Sequence, residues 1–163
     1  MIFAAFGALM FASKQLMAVL PNIHLIGMLT VTLTVVYRSK ALIPIYVFVM
    51  IEGVYSGFSV WWVPYLYIWT LLWGAAMLVP KNIKDKYASF VYPIVCGAHG
   101  FLFGILYAPA EALFFKMNFM ETVAWVITGA EFDIIHGIGN TVLGLAILPL
   151  SKLIRKLDKK YGG

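Results

Sequence analysis

Residues 131–140, EFDIIHGIGN, crowd two acids, a histidine and an asparagine into ten positions of a chain that is 63% hydrophobic. Asp133, His136 and Asn140 stand at i, i+3 and i+7, so on a helix they share one face, and Gly137 lies on it too. Two further ionisable residues, Lys14 and Glu52, interrupt apolar runs elsewhere. Charged groups in such runs are costly and mark a pathway or a site. Their chemistry is recognition: Lys14 can neutralise an anion, while Glu52, Asp133, His136 and Asn140 can engage amines, hydroxyls or ring nitrogens. The stretch WWVPYLYIWTLLW (61–73) supplies Trp62, Tyr65 and Trp69 along one stripe, with Trp61 near its rim, and such rings stack on a flat ligand. An aromatic wall with a few convergent polar groups is how small-molecule pockets are built.

Each of these residues also has a plainer use. Lys14 and Glu52 can neutralise each other. Trp61 and Trp62 can form an interfacial belt. Asp133 can cap the helix beginning after it, and His136 and Asn140 can hydrogen-bond to a neighbouring helix. His24 reads as interfacial and His99, in GAHGFLFG, as a packing or interhelical hydrogen-bonding residue. A haem or redox centre on His99 and His136 is the sharper alternative for the histidines. There is no HxxxH, HExxH or CxxC spacing to support a metal site, no glycine-rich phosphate loop, and no serine or cysteine nucleophile with a sequence-visible activator. Cys96, the one cysteine, excludes an intrachain disulfide. The expected class is therefore a binding or transport protein, not an enzyme, with no resident cofactor or metal.

The elements that must position these groups are set by composition. Of 163 residues only 12% are charged, and mean hydropathy is +0.91, which points to an integral membrane protein. Continuous apolar runs without alternation predict helices rather than a barrel. The expected fold is an all-α, six-span bundle forming one membrane domain over 1–163. The spans are expected at roughly 2–20, 23–37, 41–58, 60–79, 88–115 and 133–154. Pro21, Pro44, Pro64, Pro80 and Pro93 fall at or near the proposed ends. Residues 116–132 are expected to form an outer loop with a short interfacial helix anchored by Trp125, either a plain connector or a cover for the groups beneath it.

Charge placement sets the orientation. Arg38 and Lys40, then Lys81, Lys84 and Lys86, then Lys152, Arg155, Lys156, Lys159 and Lys160 occupy alternate connections and the tail; the opposite side carries Lys116 with Glu121, Glu131 and Asp133. By the positive-inside rule the basic side and both termini are cytoplasmic. The net charge of +5 thus reflects topology, and no nucleic-acid partner is expected. Counting rise per residue puts Lys14 and Glu52 at one level, roughly 9 Å below the outer ends of their spans, with Asn140 near it.

In the first span, AAFGALMFA places Ala4, Ala8 and Ala12 four apart in a smooth stripe that lets another helix approach closely. It serves either packing inside the bundle or docking of a separate membrane subunit. Gly97, Gly100, Gly104, Gly137 and Gly144 suit internal helix contacts.

With the alanine stripe, the segments SKQLMAVLPNIHLIGMLTVTL, YVFVMIEGVYSGFSVWW and FDIIHGIGNTVLG resemble the S component of an energy-coupling-factor (ECF) vitamin transporter, over almost the whole chain. The resemblance implies a subunit of the prokaryotic plasma membrane that captures a vitamin-like small molecule outside. It then joins a transmembrane coupling subunit and two cytoplasmic ATPases, toppling in the bilayer to deliver its cargo. Carried over, Ala4, Ala8 and Ala12 become the coupling face, and Lys14, Glu52, Asp133, His136 and Asn140, with Tyr65 and Trp69, become the ligand site. The opening MIFAAF lacks the N-terminal histidine of the cobalt and nickel members, which argues against metal as cargo.

Overall fold

The computed structural model describes residues 2–161, and among them every regular element is helical. Eight α-helices succeed one another: α1 (Ile2–Leu16), α2 (Ile26–Tyr37), α3 (Leu42–Ser56), α4 (Tyr65–Leu78), α5 (Asp85–Phe101), α6 (Phe103–Phe115), α7 (Phe119–Gly144) and α8 (Ile147–Tyr161). Short 3-10 turns at Arg38–Ala41 and Val60–Trp62 join α2 to α3 and precede α4. By length and composition, two helical runs, Ile26–Ser56 and Asp85–Phe115, suffice to cross a membrane, and α7 with α8 makes a third if that bent pair is one span.

The first run is not straight. Arg38 adopts a positive φ of 55°, unusual for a residue with a side chain. The packing shows that the chain turns back there. Phe3 and Phe6 of α1 lie against Tyr37, and Gly7 lies against Pro44 and Val47. At the other end of α1, Lys14 reaches Glu52 of α3 and shares a cavity with His24. Hence α1 and α3 run parallel, with α2 antiparallel between them in sequence. Arg38 is held at this end by donating to the carbonyls of Met77 (2.6 Å) and Val79 (3.2 Å) at the close of α4. Arg155 of α8 donates likewise to Val35 O at the end of α2 (2.8 Å). Guanidinium groups thus satisfy carbonyls that the ends of two helices leave unpaired.

The second run is a rod. Hydrogen bonds donated by the Leu102 amide to Ala98 O (3.0 Å) and by the Leu106 amide to Leu102 O (2.9 Å) carry the ladder across the junction of α5 and α6. Glycines weld α7 antiparallel to this rod. A Cβ on Gly100 would stand 2.8 Å from Gly137 Cα and from His136 O, and one on Gly144 would stand 2.7 Å from Pro93 Cα. Backbones this close exclude any side chain at those two positions.

Three sequence expectations change. Residues 116–132 are not an outer loop: α7 starts at Phe119 and runs unbroken to Gly144. Asn118 and Glu121 form a reciprocal capping box, Asn118 Oδ1 accepting from the Glu121 amide (3.0 Å) and Glu121 from the Asn118 amide (2.7 Å). The run expected as one span at 133–154 is instead the second half of α7 and then α8, bent by 47°. Pro93 sits inside α5, not at its end, where its missing amide coincides with the close approach of Gly144.

Candidate functional site

At the end of the bundle opposite Arg38, the α1–α2 connection folds over a cavity of about 370 Å³ lined by Lys14, Gln15, His24, Tyr65, Phe103 and His136, among others. Asn22 turns the connection through a left-handed conformation (φ 59°), which Asn tolerates better than most residues. His24 is thereby carried inward, its ring 4.9 Å from that of His136 and 6.0 Å from that of Trp69.

Lys14 and Glu52 pair directly. Nζ donates to Oε2 at 2.7 Å, and the Gln15 amide donates to Oε1 at 3.3 Å. Glu52 is fully buried, whereas a quarter of the Lys14 side chain is exposed. The ammonium also lies 5.2 Å from the Tyr65 ring centre and 5.9 Å from that of Trp61, within cation–π range. The pair is internally neutral, so the cavity wall presents no uncompensated charge at this point.

Behind the wall, aromatic rings radiate from Trp69, which is 1% exposed. Tyr65, Phe48, His99 and Phe103 stand 5.6, 6.1, 5.6 and 5.9 Å from it. His99 Nε2 lies 3.1 Å from Ile68 O and is the donor there. Around these rings several buried polar atoms have no hydrogen-bond partner: His24 Nδ1, Trp69 Nε1, His99 Nδ1, His136 Nε2, and both Nδ2 and Oδ1 of Asn140. Buried donors and acceptors are seldom left unpaired, because each costs about 1–3 kcal/mol. Of the residues that carry them, His24 and His136 line the cavity, while Trp69, His99 and Asn140 do not.

The residues singled out in the sequence divide accordingly. Lys14, Tyr65 and His136 line the cavity; Glu52 lies beneath as the partner of Lys14, and Trp69 lies behind Tyr65. Asn140 sits one turn below His136, against Gly27 of α2. Asp133 lines an adjacent cavity of about 400 Å³, which shares Asn22, Phe103 and His136 with the first. It does not cap its own helix. Both of its oxygens accept from the Gly104 amide (2.9 and 3.1 Å), just past the junction of α5 and α6. Ala4, Ala8 and Ala12 are exposed along α1, so the stripe does not pack within this chain.

His24, Gln15 and Phe103 were not among the expected site residues. The signal for His24 was present, since the depth count puts it near the rim together with His136. The cover over the cavity is the connection 17–25, not residues 116–132. Phe103 packs against both His99 and His136, with ring centres at 6.0 and 4.8 Å. Among the described residues no group of three or more His, Cys, Asp or Glu is placed to hold a metal ion.

No family, curated protein or solved structure compared with this chain matches it.

Proposed function

We propose that this chain is the substrate-capturing S component of an ATP-driven ECF importer for a vitamin-like small molecule. In this reading six spans cross the plasma membrane: α1, α2, α3, α4, the α5–α6 rod and α7. The end carrying Arg38 and α8 faces the cytoplasm and the cavity faces outward. The observation that carries the reading is the aromatic-walled cavity itself, lined by Lys14, His24, Tyr65, Phe103 and His136, with an unpartnered buried nitrogen on each of the two histidines. In this reading a flat ligand stacks on Tyr65 and Phe103 and meets the imidazoles of His24 and His136. The exposed alanine stripe supports the second half of the proposal, a helix face smooth enough to take a coupling subunit. Catalysis has no part in it, since ATP hydrolysis falls to partner ATPases.

The test is mass spectrometry of small molecules carried through purification, combined with uptake in cells that also express a coupling module. The wild-type chain retains a ligand, and His24→Leu/His136→Leu loses it. Ala8→Trp retains the ligand and loses coupling. Absence of any retained small molecule together with uncoupled wild-type behaviour would refute the proposal.

A further inference from the structure

The last helix carries a feature that ligand capture does not use. At 100° per residue the fifteen positions of α8 fall into three flanks. Ile147, Ser151 and Ile154 are buried against the bundle, and Asp158 beside them accepts from Tyr37 Oη at 3.1 Å. A second flank holds Leu153, Leu157 and Tyr161, all exposed. The third holds Lys152, Arg155, Lys156 and Lys159, which together line a concavity of about 260 Å³.

Two of those four cations are engaged: Lys152 pairs with Asp85, and Arg155 donates to Val35 O. Lys160, on the border with the apolar flank, lies 4.9 Å from the Tyr161 ring centre. Among the described residues Lys156 and Lys159 make no ion pair.

An apolar flank and a cationic flank side by side on one helix need an apolar phase and an anionic one in contact. A bilayer boundary provides both. We infer that the α8 concavity binds the phosphodiester headgroup of an anionic phospholipid, whose acyl chains run along Leu153, Leu157 and Tyr161. This rests on the membrane reading alone and is independent of the ligand in the outer cavity. Lys156 and Lys159 contact the headgroup; Arg155, fixed by its bond to α2, ties the occupied concavity to the bundle.

The experiment uses the purified full chain in micelles containing equal amounts of phosphatidylglycerol and phosphatidylcholine, with bound lipid counted by native mass spectrometry. The wild-type chain retains phosphatidylglycerol in preference. Lys156→Gln/Lys159→Gln weakens that retention roughly 30-fold at low ionic strength, two basic side chains' worth. Lys156→Arg/Lys159→Arg keeps it, and Leu153→Gln/Leu157→Gln reduces it. Helicity and elution volume of each variant report that the fold is intact. Equal retention of the two lipids, or unchanged retention in the glutamine variant, overturns the inference. So does loss in the arginine variant, which would assign the lysines a packing role. Displacement by millimolar inorganic phosphate, with no effect of the leucine substitutions, would point to a soluble phosphate instead and equally overturns it.

Discussion

Removing one member of the Lys14–Glu52 pair separates its two burdens, because the partners are not equally buried. Lys14→Met leaves the Glu52 carboxylate fully buried with only the Gln15 amide, 3.3 Å away, to hold it. Breaking a buried pair from one side costs about 3–5 kcal/mol, and the remaining amide places this variant near the lower bound, about 3 kcal/mol. Glu52→Met leaves an ammonium whose side chain is a quarter exposed and which has the Tyr65 and Trp61 rings beside it. Solvent and the ring faces offset most of the loss, so about 1.5 kcal/mol is expected. Lys14→Met/Glu52→Met removes both charges and should cost no more than about 1 kcal/mol, as apolar replacement of buried pairs often does. For a chain of this size each kcal/mol moves the melting temperature by about 2–4 °C. Thermal unfolding in detergent, monitored by tryptophan fluorescence, should therefore fall by about 6–12 °C for Lys14→Met and about 3–6 °C for Glu52→Met, with the double variant recovering most of the difference. A milder effect in Lys14→Met than in Glu52→Met, or additive losses in the double variant, would refute the reasoning from burial.

His136→Phe keeps a ring against Phe103 and removes an unpartnered nitrogen. It should raise the melting temperature of the ligand-free protein by about 2–4 °C while abolishing stabilisation by ligand, a combination readable in one thermal-shift series. Gly100→Ala drives a Cβ into the Gly137 and His136 backbone at 2.8 Å. It should cost about 1–3 kcal/mol and, by shifting His136, weaken ligand retention more than an equally destabilising change far from the cavity. Asn118→Ala breaks the capping box and should cost about 1 kcal/mol, with faster amide hydrogen exchange confined to the first turns of α7 and none at His136.

Period and cost decide how much of this molecule is legible in its sequence. Helix content is written in continuous apolar runs. The adjacency of Lys14 and Glu52 is written in their matching depth, because two buried charges of opposite sign on neighbouring helices have few alternatives to each other. The glycines of α5–α6 and α7 are legible for the same reason, as close approach admits little else. The continuity of α7 was obscured because Glu131 and Asp133 dilute hydropathy midway. Yet NFME at 118–121 spells a capping box, and a cap is better evidence of a helix start than a fall in hydropathy. The bend before α8 was hidden in the opposite way: the apolar run continues through LAILPL (145–150) while its direction changes. Asp133 reads locally as a cap for the residues after it, whereas it accepts from an amide 29 residues earlier. A pairing between distant helices leaves no mark on either sequence alone.

The shortness of α1–α4 bears on how this chain tolerates a polar layer. Helices of 12 to 15 residues span roughly 18–22 Å, less than the roughly 30 Å of a hydrocarbon core. The α5–α6 rod, 31 residues long, and α7, with 26, reach roughly 46 and 39 Å. In the proposed six-span arrangement a bilayer around such a body would be thinned on one side or flanked there by irregular chain, such as the connection 17–25. Lys14 lies two residues from the end of α1, and Glu52 four from the end of α3. They are thus only about 3 and 6 Å in, shallower than the roughly 9 Å obtained when the first span is taken to residue 20. In the proposed orientation the charges stand at the mouth of the short half, close to water. The polar groups His99, His136 and Asn140 come from the long half. In the proposed orientation a ligand entering under residues 17–25 would meet His24 and His136 while the ion pair keeps its own neutrality, so the pair would add no net charge to the site.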